Sequence, residues 1–153
     1  MFSNELIVKI LIYLNDNLNQ KIKLSDLEKR FNYNSFYIMR LFKREIGISI
    51  IDYINTIKIY KSINMLINTD SSILKVALYS GFSSLEYYSE MFKKVTGFNP
   101  QKFKIAIKLG NSEKRKAIKK ILELKQLEDK SNYYIKNIKP ESMVKVLKIK
   151  KNI

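Results

Sequence analysis

Ile73–Pro100 reads ILKVALYSGFSSLEYYSEMFKKVTGFNP. Ile73–Tyr79 has the spacing of a short helix, Ser80-Gly81-Phe82 is a turn, and Ser84–Lys94 is a second amphipathic helix that Gly97-Phe98-Asn99-Pro100 stops. The same pattern stands about fifty residues upstream. Phe42-Lys43, Gly47 and Tyr53 recur as Phe92-Lys93, Gly97 and Phe103, and Leu24 and Leu27 recur 49 residues on as Ile73 and Val76. The one-residue difference falls in the turn, where Asn32-Tyr33-Asn34 faces Gly81-Phe82-Ser83. The repeated unit is a short helix, a tight turn and a longer helix, which is the helix-turn-helix layout.

Outward from the repeat, every clear periodicity up to Lys108 is helical. Leu6, Ile7, Ile10, Leu11 and Leu14 share one face of a first helix, with Ser3 as its expected cap. Ser25 and Glu28 have capping-box spacing at the next helix, and Ser35–Glu45 follows with Tyr37, Ile38, Leu41 and Phe42 inward. A linker helix over Asp52–Leu66 carries Tyr53, Ile54, Ile57, Ile63, Leu66 and Ile67 on its apolar side. Gln101–Lys108 adds a last turn or two. Beyond Gly110, Ser112–Lys130 alternates lysine pairs with Ile118, Ile121, Leu124 and Leu127, a basic amphipathic helix, and Val144–Ile149 alternates like a strand. The expected fold is all-α: two helix-turn-helix subdomains joined by a long helix, about seven helices over residues 1–108. A basic tail over 109–153 adds one more helix and short strands.

Composition bounds the chemistry. The chain has 153 residues with Cys 0 and His 0, so thiol catalysis, Cys/His zinc sites and histidine general bases are excluded. No acid/base pair or phosphate-cradling glycine loop points to an enzyme, and no cofactor is expected. Lys and Arg total 29 against 14 Asp and Glu, a net charge of +15. Residues 111–153 hold 13 basic and 5 acidic side chains, more than half of that excess. Such a balance favours a polyanionic partner, nucleic acid or an anionic membrane surface. A lysine-rich helix more often packs on its own domain than on lipid, so no membrane role is expected, and the absence of a spanning or signal segment makes a cytoplasmic protein the expectation.

A helix-turn-helix sets the N-terminal part of its second helix against base edges in the major groove. The outer side of Ser35–Glu45 presents Ser35, Phe36, Met39, Arg40 and Lys43. An arginine there suits guanine O6 and N7, and Phe36 and Met39 suit a thymine methyl. The equivalent face of the second unit presents Leu85, Glu86, Ser89, Glu90 and Lys93. Ser83 and Glu86 have capping-box spacing, which would give Glu86 a structural task, whereas Glu90 has only cytosine N4 to accept from. This unit is therefore expected to add less affinity than the first. Lys43, Arg44, Lys93 and Lys94 are the expected phosphate anchors. A linker of about 15 residues spans roughly 22 Å, so with the widths of the flanking units added two such helices could enter successive grooves ~34 Å apart.

The run Ile73-Leu74-Lys75-Val76-Ala77, Gly81-Phe82-Ser83, Tyr88, Phe92-Lys93-Lys94, Gly97 and Pro100 resembles the signature of AraC/XylS-type transcriptional regulators. Leu24, Leu27, Arg40-Leu41-Phe42-Lys43, Gly47 and Tyr53 match it in the first unit, and the resemblance covers about residues 5–108. It implies a seven-helix domain that binds double-stranded promoter DNA and contacts RNA polymerase. By position, Phe36, Met39 and Arg40 fall where such regulators read bases with the first unit, and Leu85, Glu86, Ser89 and Glu90 where they do with the second. The chain departs from the pattern at Glu28, which replaces a small alanine, at Lys58 for an arginine, at Ser62 for an alanine, and at Glu90 for an arginine. With few residues before the first helix, no preceding sensing or dimerisation domain is expected, and DNA would be bound as a monomer. Tyr134-Ile135-Lys136 through Pro140 to Val144–Ile149 resembles the opening strand of a GyrI-like effector-binding domain, which implies a truncated one.

Overall fold

The computed structural model describes residues 2–110 and 112–137, with side chains from Glu5 onward. Eight helices follow one another: α1 (Phe2–Asp16), α2 (Leu24–Phe31), α3 (Ser35–Ile46), α4 (Ile50–Asn68), α5 (Ile73–Tyr79), α6 (Leu85–Thr96), α7 (Pro100–Leu109) and α8 (Ser112–Lys136). Among the described residues there is no strand, and no helix is long and apolar enough to cross a membrane. The fold is the all-α double helix-turn-helix that the repeat implies. The chain forms two compact units.

Among the described residues the first unit comprises residues 2–17, Ile22–Tyr53 and residues 129–137. Leu6, Ile7, Ile10, Leu11 and Leu14 of α1 are buried, as are Leu27 of α2 and Ile38, Leu41, Phe42 and Ile46 of α3. Phe42 meets Tyr53 edge-on with ring centroids 5.2 Å apart. The Tyr53 hydroxyl lies 3.0 Å from Asn15 Oδ1 and 2.9 Å from Ser131 Oγ, so a polar tip inside an apolar core is satisfied by α1 and α8.

The second unit comprises Leu18–Lys21 and Ile54–Glu128. Its core joins Ile59, Ile63 and Leu66 of α4 to Val76, Ala77 and Phe82, then Tyr88, Met91 and Phe92 of α6, Phe103 and Ala106 of α7, and Ala117 and Leu124 of α8. Phe92 and Phe103 repeat the edge-on contact of Phe42 and Tyr53 at the same 5.2 Å. The fifty-residue repeat is thus a repeat of ring packing as well as of sequence. Lys93 closes α6 as Lys43 closes α3: each carbonyl accepts the N–H of the following glycine, Gly97 at 2.8 Å and Gly47 at 2.9 Å.

Two polar groups of α4 are buried, in line with Ile54 and Leu66 at i+4 steps. Lys58 is only 6% exposed, and its ammonium donates to the carbonyls of Gln20 at 3.0 Å and Gly81 at 2.9 Å. Burial holds its pKa below the usual lysine range. Ser62 donates to Ile59 O at 2.7 Å and so accepts from the Tyr88 hydroxyl at 2.8 Å.

Burial pushes the Tyr88 phenol up to about 12. A phenol pKa raised on folding stabilises the native state fully below its ordinary value, and that stability drains away as pH climbs from about 10 towards 12. Between pH 8 and 11 the wild type should lose about 1 kcal/mol through this group. Urea titrations of the wild type and Tyr88→Phe at both pH values check it. The gap between the two proteins should narrow by that amount, and an unchanged gap would dismiss the coupling.

The tail differs from expectation in two ways. Its inward line is Ala117, Leu124 and Ser131, with Ile121 half-buried, whereas Ile118 is 41% exposed. The small residues Ala117 and Ser131 allow close approach, a criterion that apolar counting overlooks. Furthermore, Tyr134-Ile135-Lys136 is helical and not the start of a strand. Tyr134 donates to Glu45 O at 3.0 Å, and Lys130 donates to Ile46 O at 2.8 Å, so tertiary partners on the C-terminal turn of α3 outweigh the β-propensity of a Tyr-Tyr-Ile run. The strand expected over Val144–Ile149, and with it the GyrI-like resemblance from Pro140 onward, lies outside the described residues.

Candidate nucleic-acid interface

In the first unit the α2–α3 turn is made by Asn32, the one described residue other than glycine with positive φ, at 57°. Asparagine tolerates this left-handed region better than most residues. Asn34 then caps α3, its Oδ1 accepting from Phe36 N at 2.8 Å. A second acceptor comes from α2: Glu28 Oε1 takes the N–H of Ser35 at 2.7 Å.

This corrects the reading of Ser25 and Glu28 as a capping box. Asp26 accepts the N–H of Lys23 at 3.1 Å, and Glu28 serves the next helix instead. Hydrogen bonds from Ser35 hold the Glu28 carboxyl below the usual carboxylate range. Its side chain lies at the edge of the α2–α3 contact rather than within it, so a carboxylate is accommodated where a small alanine is expected.

With the ends of α3 fixed, its outer face is defined. Phe36 is 67% exposed, Tyr37, Arg40, Lys43 and Arg44 are exposed, and Ser35 and Met39 are half-buried. Phe36, Arg40 and Lys43 therefore share one stripe at helical spacing. Among the described residues Arg40 and Lys43 form no ion pair, whereas Arg44 Nε lies 3.2 Å from Glu45 Oε1. Tyr37, expected inward, is exposed and stacks on Tyr33 with centroids 5.3 Å apart. An aromatic at the margin of an amphipathic face reads equally well as core or surface from sequence.

In the second unit Gly81 makes the turn at φ +86° and Ser84 caps α6, accepting from Tyr87 N at 3.1 Å. The capping box expected from Ser83 and Glu86 is not formed, because the cap lies one residue later. Glu86 is instead an exposed acidic residue in the first turn, where the helix dipole favours it. The outer face of α6 carries Glu86, Glu90, Lys93 and Lys94 exposed, with Leu85 and Ser89 half-buried. Tyr87 is held by Asn55, whose Nδ2 donates to its hydroxyl at 3.1 Å. Superposed by the fifty-residue offset, Arg40 corresponds to Glu90, Met39 to Ser89, Lys43 to Lys93 and Arg44 to Lys94. The two faces share a lysine, Lys43 and Lys93, and differ in charge where Arg40 stands against Glu90.

A helix-turn-helix domain family matches residues 27–105, just over half of the chain. The chain is 31% identical over 102 residues to the uncharacterized HTH-type transcriptional regulator YfiF of Bacillus subtilis, covering 67% of this chain and 32% of that protein. It is 28% identical over 103 residues to the transposon Tn10 TetD protein of Escherichia coli, covering 67% of this chain and 75% of that protein. Among solved structures, the C-terminal domain of AraT, a response regulator from Geobacillus stearothermophilus, aligns with a TM-score of 0.63 at 26% identity over 65% of this chain and 84% of that one. The C-terminal domain of the response regulator yesN from Fusobacterium nucleatum gives 0.60 at 25% identity, over 68% and 99%. The chain spans about a third of the length of YfiF, and 40% of YbfP, another B. subtilis regulator of this type. The repeat, the two capped outer helices and these matches together establish that the chain belongs to the AraC-type family of helix-turn-helix transcriptional regulators.

Proposed function

We propose that the chain is a sequence-specific DNA-binding transcription regulator that inserts α3 and α6 into successive major grooves of promoter DNA. The carrying observation is the outer face of α3: a capped helix whose exposed stripe combines Phe36 and an ion-pair-free Arg40 with Lys43. Arg40 donates to guanine, Phe36 and Met39 meet a thymine methyl, and Lys43 and Arg44 hold phosphates. Leu85, Ser89 and Glu90 make the contacts of the second unit, with Glu86 beside them and Lys93 and Lys94 on the backbone. Glu90 weakens that grip by repelling phosphates, so the first unit supplies most of the affinity. The regulator acts in the cytoplasm as a monomer on DNA, needs no cofactor, catalyses nothing, and contacts RNA polymerase from the bound site.

Selection from random duplex DNA by the purified full chain, at near-physiological salt, tests this reading. Two short enriched boxes about one helical turn apart are expected. Arg40→Ala should erase the preference at one position of the first box, a loss of about 1–3 kcal/mol in discrimination. Glu90→Gln should tighten binding to all sequences. No enrichment, with binding that vanishes as salt rises, would instead indicate a non-specific basic nucleic-acid-binding protein.

A further inference from the structure

The second unit holds a cleft of 560 Å³ lined by Lys93 of α6, Gly97, Phe98 and Asn99 of the following turn, Lys102 of α7, and Lys116, Lys119 and Lys120 of α8. Five lysines face two carboxylates there, Glu113 and Glu123. Those carboxylates are engaged on α8 itself, Glu113 with Lys116 at 3.2 Å and Glu123 with Lys120 at 3.3 Å. Among the described residues Lys93, Lys102 and Lys119 have no ion pair, so the cleft keeps an uncompensated positive charge from three different helices.

The lysines of α8 are not the loose end of a tail. Ala117 and Leu124 of that helix are buried in the core of the same unit, which fixes Lys116, Lys119 and Lys120 beside that buried line at i, i+3, i+4 spacing. Lys93 belongs both to this cleft and to the outer face of α6, one turn beyond Ser89 and Glu90. A polyanion lying along α6 therefore passes the mouth of the cleft. Five ammonium groups against two carboxylates already paired on α8, beside the half-buried ring of Phe98, suit phosphodiesters rather than base edges.

We propose that this cleft is a phosphodiester-binding wall, by which α8 extends the DNA contact of the second helix-turn-helix unit beyond the two reading helices. The inference rests on the DNA-binding reading of α6. It also accounts for how a unit with Glu86 and Glu90 on its reading face stays on DNA: the cations are displaced to the neighbouring wall.

The test compares the full chain with Lys116→Gln/Lys119→Gln/Lys120→Gln, following duplex DNA binding by fluorescence anisotropy from low to moderate salt. The slope of log affinity against log salt should fall by about 2 to 3, at ~0.9 for each phosphate that is no longer neutralised, and affinity should drop at least tenfold. The preference for a selected duplex over a scrambled one should not change. Lys119→Glu alone, an exposed charge reversal, should lower affinity in the same direction and guards against a folding defect in the triple variant. Trimming the duplex at the flank of the second box should remove the difference between wild type and triple variant. An unchanged salt slope overturns the proposal while leaving the DNA-binding reading intact. Failure of the wild type to bind any duplex overturns both. Wild-type binding of inorganic tripolyphosphate that the triple variant loses, with DNA affinity unaltered, reassigns the cleft to a small phosphorylated ligand and also overturns it.

Discussion

Gly81→Ala should destabilise the second helix-turn-helix unit by about 3–5 kcal/mol. A Cβ placed on Gly81 would stand 2.3 Å from Leu18 O and 3.0 Å from the backbone of Asn19. Both neighbours are main chain, which cannot swing aside as a side chain would. The φ of +86° adds strain of about 1–2 kcal/mol for any residue with a Cβ. Relaxing the clash would also separate the Gly81 carbonyl from Lys58, whose buried ammonium joins it to the carbonyl of Gln20. Gly97→Ala is the matched control: its φ is +82°, but nothing lies within 4 Å of the added carbon. That variant should lose only the conformational part. Thermal melts of both proteins settle the matter, and equal losses would show that the close approach at Leu18 has no energetic weight.

Ending the chain at Gly110 should cost about 5 kcal/mol, against a total of 5–15 for an ordinary domain. The second unit would lose the buried Ala117 and Leu124, worth about 2–3 kcal/mol of apolar burial. The first would lose three polar attachments: Ser131 at the Tyr53 hydroxyl and Asn15, Lys130 at Ile46 O, and Tyr134 at Glu45. Removing Ser131 takes one partner from a buried tyrosine hydroxyl, and removing Lys130 takes a cation from the C-terminal end of α3. The shortened protein should melt well below the full chain and show weaker near-ultraviolet tyrosine signals. A melting temperature equal to that of the full chain would make α8 a dispensable appendage and residues 1–108 a self-sufficient domain.

The wall of lysines bears on the same helix. Residues 111–153 looked like a tail because their charge and texture change after Gly110. What makes α8 part of the fold is a line of small and apolar residues, Ala117, Ile121, Leu124 and Ser131, set among lysines. Ile118 and Leu127, which seem to complete the apolar face, contribute less. Ile118 is largely exposed, and Leu127 is half-buried.

Much of the fold was legible from residue order because its causes are local. The periodicity of Ile38, Leu41 and Phe42, and of Tyr88 and Phe92, places α3 and α6, and a glycine ends each. The fifty-residue recurrence then implies two copies of one unit before any coordinate is known. Ile73–Tyr79 came out as α5 with the same bounds. The outer faces of α3 and α6 were legible for the same reason, since a helix with a known inner face has a known outer one.

Other features depended on which groups meet in space, and no spacing rule supplies that. Glu28 has the right separation from Ser25 for a capping box, yet the free N–H it reaches belongs to Ser35 of the next helix. Lys58 is readable from sequence only as a lysine where an arginine is usual, and no spacing rule shows that two main-chain carbonyls from distant segments converge on it inside the second unit. Tyr134 and Lys130 stay helical because their partners are Glu45 and Ile46, more than eighty positions away. Sequence alone determined the order of the helices, the duplication and the family. Tertiary structure alone decided the partners of the buried polar groups and the docking of α8, because hydrogen-bond satisfaction and close packing are properties of neighbours in space rather than along the chain.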